Sequence, residues 1–210
     1  MTPEQVKALF TRADGSYLFA RWGRPIVPVV FGVEDRTLAT VKGALEAVVA
    51  LAEHRMAETD PELGANLMVF FCRSWSDLTG VPNLDRLIPE LHPLVARLET
   101  AGANQYRLFR FDAAGAIRAA FVFLRMDDHL SATPAEVVAL AQAAQVILLW
   151  SDAALADGAL LAEAGGHIIL RPDVAQVIRA AYDPVMPANS GDASHALRLA
   201  ARLAVSSRSE

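Results

Sequence analysis

The chain has 210 residues, 53% of them hydrophobic and 20% charged, with a formal net charge of −5. That length and balance fit one large folded domain with a substantial core and exclude a disordered chain. The acidic balance argues against a nucleic-acid partner, which requires a basic stripe to neutralise phosphates.

No basic amphipathic helix points to a membrane surface, and no apolar run approaches the length that spans a bilayer. The single cysteine, Cys72, excludes an intramolecular disulfide. At the start, Thr2 reads as an N-cap, Pro3 as the first helical residue and Glu4 as part of the first turn. This is a folded helix start without the basic and apolar regions of an export signal. It implies a cytoplasmic protein as written, or a periplasmic one if the natural start lies upstream of Met1.

Segments 17–22 and 26–31 read as strands, broken at residues 23–25. Asp35 can cap a long helix to about residue 57, with Leu38, Val41, Leu45, Val48 and Ala52 on one stripe. The run "NLMVFFC", 66–72, reads as a fully buried strand. In "VPNLDRLIPELHPLVARLE" the pattern is helical, but Pro89 and Pro93 should bend or split it. The hairpin is clearer: "QYRLFRFD" and "AIRAAFVFLR" flank "AAGA", with Gly115 supplying the turn. In its first arm Tyr106, Leu108 and Arg110 alternate with Arg107, Phe109 and Phe111, which leaves arginines exposed on a half-buried strand.

The loop "MDDHLSATP" leads into "AEVVALAQAAQVILLWSD", 135–152, which reads as one long buried helix. Further helices are expected near 172–182 and 192–204, in one domain of residues 1–205 with a frayed tail at 206–210. Strands and helices mix without regular alternation. The expected class is therefore α+β, with a mixed sheet and its long helices on one face.

Long helix, sheet, hairpin and buried helix is also the element order of the zinc-peptidase-like (zincin) fold. Its active members carry H-E-x-x-H on that last helix: two histidines bind zinc and the glutamate is general base. Four patches resemble, in order, an uncharacterised bacterial family of zincin-like domains whose members are mostly exported: "RWGRPIVPVVFG", "NLMVFF", "AQAAQVILLWSD" and "VIRAAYDPVMP". Together they span most of the chain. The resemblance puts the zinc-motif positions on Ala141, Gln142 and Gln145, and the family's following glycine on Leu148. Alanine has no donor atom, and a glutamine amide neither ionises usefully nor ligates zinc well. The resemblance thus implies a domain that has lost its metallopeptidase motif, with no cofactor.

Gln142 and Gln145 lie within roughly 60° of each other on the helix, on the face of Val138 and Leu149. Polar groups there need partners. Either they line a cleft and bond a ligand, or they bond sheet-edge backbone. Asp127, Asp128 and His129 offer a weak cation site, or a histidine acid–base. Tyr182 matches a family position, so the resemblance places it on the far side of the cleft. Arg21 and Arg24 could hold an acidic group. Cys72 is a nucleophile at a strand end or a small hydrophobe. His54, His92, His167 and His195 form no pair at i, i+4. The chain carries no glycine-rich phosphate loop, no G-x-S-x-G elbow and no C-x-x-C pair.

The leading reading is a non-catalytic domain for binding or assembly, acting on a protein or small-molecule partner through the cleft beside helix 135–150. An alternative is a hydrolase with a relocated site around His129, Asp127, Asp128 and Tyr182. A third is a homodimer formed through the C-terminal helix along Ala193, Leu197 and Ala200.

Overall fold

The protein is described by a computed structural model covering residues 1–155 and 160–206. Helix α1 (Pro3–Ala8) starts as its sequence dictates. Thr2 Oγ1 accepts the Gln5 N–H, and the Gln5 side chain accepts the Thr2 N–H in return. The strand expected at 17–22 contracts to β1 (Phe19–Ala20), whose partner lies near the other end of the chain, as described below.

Strand β2 (Pro28–Phe31), helix α2 (Asp35–Leu51) and strand β3 (Leu67–Cys72) form a parallel crossover unit. Glu34 rather than Asp35 takes the N-cap position. The helix ends six residues before the expected 57, where Glu53 adopts a positive φ of 52° and turns the chain. Val41, Leu45, Val48 and Ala52 are buried, whereas Leu38 is exposed.

Pro89 then splits the next segment as expected, and Pro93 does not. A 3-10 helix (Trp75–Gly80) precedes it, and α3 (Leu84–Leu87) and α4 (Leu91–Thr100) replace the one helix, with Pro89 in the gap. Pro93 is tolerated because it lies in the first turn of α4, where the N–H groups have no intrahelical partner. The hairpin forms from β4 (Gln105–Phe111) and β5 (Ile117–Arg125), with a bulge at Arg110/Phe111.

The main sheet has the order β2-β3-β5-β4, with β2, β3 and β5 parallel and β4 antiparallel at one edge. The loop after β5 contains α5 (Asp128–Ala132), followed by α6 (Ala135–Val146) and α7 (Asp152–Leu155). Alternation along β3 and β5 assigns residues to two cores. Leu67, Val69, Val122 and Leu124 face α2 and α6, which pack together. Phe70, Phe121 and Phe123 face Trp75, Leu78 and α4. The class is α+β with a mixed sheet, but helices cover both faces rather than one. That double burial is why "NLMVFFC" is apolar without alternation.

The remainder comprises a separate hairpin of β6 (Leu161–Ala164) and β7 (His167–Leu170), then α8 (Pro172–Ala181), β8 (Asn189–Ser190) and α9 (Ser194–Ser206). Strand β8 pairs antiparallel with β1, and α9 packs on α1 and α8. The buried face of α9 is Ala196, Leu199, Ala200 and Leu203, while Leu197 is 59% exposed. Ala193 and Ala200 thus pack within the chain while Leu197 points outward, so the three do not share one face. Of the expected frayed tail, residues 207–210 lie outside the described residues. Among those described, no helix is long and apolar enough to cross a membrane.

Helix α6 stops at Val146, short of the expected 152, and its end is buried. Leu148 forms a bridge to Arg21, the Leu149 N–H donates to Ala20 O, and the Ser151 N–H donates to Leu9 O. A buried helix end leaves carbonyls that need donors. Trp150 Nε1 donates to Ala144 O, Trp22 Nε1 to Val146 O, and the Tyr182 hydroxyl to Ile147 O, each at 2.8 Å.

Candidate functional site

Gln105 and Arg107 are two residues apart on β4, so both side chains point to the same face, toward α6. There they meet Gln142, which is only 5% exposed. Gln142 Nε2 donates to Gln105 Oε1 at 2.9 Å, and Gln142 Oε1 accepts from Arg107 Nη1 at 3.1 Å. Arg107 Nη1 also reaches Gln105 Oε1 at 3.5 Å. The partners of Gln142 are thus side chains of the edge strand, not its backbone. Arg107 is correspondingly not the exposed strand arginine expected from the sequence. Burial pulls its pKa down to about 10, against the attraction of Asp152 at the start of α7. Among the described residues no carboxylate lies within 4.0 Å of its guanidinium. One turn further along α6, the Gln145 Oε1 is sealed from solvent without a hydrogen-bond partner.

The other expected site residues do not join this cluster. Tyr182 is buried at the C-terminal end of α6, where its hydroxyl donates to Ile147 O and accepts the Trp22 N–H at 3.3 Å. Burial pushes that phenol's pKa above its ordinary value. The Arg21 guanidinium lies over its ring at 5.2 Å, and His54 flanks it at 5.1 Å. His129 is exposed on α5, before the other end of α6. The 12 residues of α6, roughly 18 Å of helix, separate the two. Asp127 caps α5 by accepting the Leu130 N–H, and its other oxygen accepts from Asn104 Nδ2. Asp128 is exposed beside it. The grouping of His129, Asp127, Asp128 and Tyr182 therefore does not form a site.

The residues that the resemblance would align with a zinc motif do not fit a zinc ion either. Ala141 has no ligand atom, and Gln142 is turned onto β4. Among the described residues no three His, Cys, Asp or Glu side chains are grouped so that they could hold a metal ion. That applies equally to Asp127, Asp128 and His129.

Comparison of the chain with protein-family models, curated proteins and solved structures gives no match.

His54 Nε2 donates to Arg24 O at 2.8 Å, and His195 Nδ1 lies 2.7 Å from the Tyr17 hydroxyl. Among the described residues no histidine pairs with a carboxylate. Cys72 Sγ donates weakly to Leu124 O, and burial, helped by Asp77, raises its thiol to about 11. A thiol so poorly ionised is not an activated nucleophile. Arg24 is engaged by Asp60 and Glu62. Arg21 donates to Met186 O besides covering Tyr182.

A cavity of about 430 Å³ opens elsewhere, at the carboxyl ends of β2, β3 and β5, lined by Gly32, Thr37, Phe71, Leu130 and Val138 among others. His129 does not line it, although its neighbour Leu130 does. The sequence reading misses this cavity, and it misses Gln105 and Arg107 as partners of Gln142. For Arg107 a signal exists: period-two alternation places it with Phe109, on a face that turns out to be covered by α6.

Proposed function

We propose that the protein is a non-catalytic zincin-like domain that binds a partner or ligand at the face between β4 and α6. The observation that carries this reading is Arg107, a half-buried cation held by two glutamine amides and, among the described residues, by no carboxylate contact. Polar recognition without titratable chemistry suits a binding surface. The element order supports the zincin-like part: long α2, mixed sheet, hairpin, then buried α6, with Gln142 where the motif's general base would stand.

The test is turnover. Purified protein, with and without added zinc, is expected to hydrolyse neither a mixed peptide library nor simple esters above an unrelated control. Hydrolysis that disappears in His129→Ala or Gln142→Leu would sink the reading.

A further inference from the structure

We infer that the β4–α6 face receives a ligand carboxylate on the guanidinium of Arg107, an inference that rests on the binding-domain reading above. A guanidinium has five N–H donors. In Arg107 the Nη1 group serves Gln142 and Gln105. Among the described residues, no acceptor stands within hydrogen-bond reach of Nε or Nη2. Neither atom is sealed from solvent, in contrast to the unpartnered Nε atoms of Arg21 and Arg118.

Burying a cation without a counter-charge is costly, and proteins usually offset that cost with a carboxylate in contact. Here no carboxylate of the described chain takes that place. Asp152 attracts the guanidinium but makes no ion pair with it. The two amides hold the guanidinium through Nη1 and leave its Nε–Nη2 edge without a protein acceptor among the described residues. That edge presents parallel N–H groups, which match the two oxygens of a carboxylate. A single cation beside Asp152 favours one negative charge over a dianion such as phosphate or sulfate. The missing counter-charge is thus supplied by the ligand.

The test uses the full chain and three probes: benzoate, its neutral isostere benzamide, and sulfate. Titrations are followed by the NMR signals of Arg107 Nε–H and the Gln142 side-chain amide. Benzoate is expected to saturate and shift both signals, whereas benzamide leaves them unmoved. Arg107→Met is expected to weaken benzoate about tenfold or more, the size of one charge-assisted contact. Arg107→Lys keeps the charge without the planar fork and is expected to recover only part of the affinity, and it also serves if the methionine variant folds poorly. The inference is overturned by equal responses to benzoate and benzamide, by no response to benzoate, or by benzoate affinity that survives Arg107→Met in folded protein. Sulfate binding tighter than benzoate also overturns it. Each of these failures leaves the non-catalytic reading standing, since that reading fails only through turnover.

Discussion

The indole N–H of Trp22 donates to the carbonyl of Val146, a residue 124 positions later in the chain, at 2.8 Å. With the Trp150 indole and the Tyr182 hydroxyl it gives the buried end of α6 its hydrogen-bond donors. Removing the Tyr182 hydroxyl strands two groups at once, the Ile147 carbonyl and the Trp22 N–H. Tyr182→Phe is therefore expected to lose about 2–4 kcal/mol in urea unfolding at neutral pH. A loss under about 0.5 kcal/mol, the size of an ordinary surface change, would show that this helix end does not need its donor.

Gly32 ends β2 at a φ of +80°, and a Cβ there would lie 2.0 Å from the Phe71 carbonyl oxygen. Backbone cannot move aside as a side chain can. Gly32→Ala is expected to cost on the order of 3 kcal/mol or more, or to prevent folding. Gly64, at φ +71° with nothing within 4 Å, provides the control. Its alanine variant should show only the conformational cost of about 1–2 kcal/mol. Thermal melts of the two variants, side by side, decide the matter.

His195 is fully buried, with Phe19 at 4.2 Å and the Tyr17 hydroxyl on its Nδ1. Burial, with Arg198 adding repulsion, lowers its pKa to about 4. The unfolded chain takes up this proton near pH 6.5, whereas the folded chain resists it down to about 4. The contribution is thus complete above pH 6.5 and is lost as the pH falls toward 4, by about 3 kcal/mol in all. Urea midpoints measured between those limits should fall less steeply in His195→Asn than in the native chain. Parallel slopes would place the acid sensitivity elsewhere.

Cys72 is expected to react slowly with a disulfide reagent at pH 8, and its rate should still be rising at roughly pH 10, because its thiol is held near 11. A rate that levels off near pH 8 would reveal an ordinary or activated thiol.

Much of the framework is legible because it is local. The Thr2 cap, the turn at Gly115 and the break at Pro89 each follow from a few adjacent residues. The limits of α6 are not local. Its apolar run continues to Trp150, and the helix stops at Val146 because the chain then runs extended against Ala20 and Leu9, while Trp22 and Tyr182 bond the end. Arg107 fails for the same reason, since the residue that buries it, Gln142, is 35 positions away. The β6–β7 hairpin is a different case. Gly165 and Gly166, with φ of 59° and 78°, are the pair a tight hairpin turn wants. The flanking "LAEA" and "HIIL" lack alternation, and without it the segment goes unassigned.

The closing of α6 also sets an order of events during synthesis. Tyr182 leaves the ribosome long after α6, and β8 and α9, the partners of β1 and α1, leave later still. Until then the Ile147 carbonyl has no phenol to meet, and the N-terminal segment has no edge to pair with. Native contacts that bridge most of the chain slow folding, because long loops must close before those contacts reward them. The phenol that completes the hydrogen bonding at this helix end is therefore available only after residues well downstream of α6 have been made.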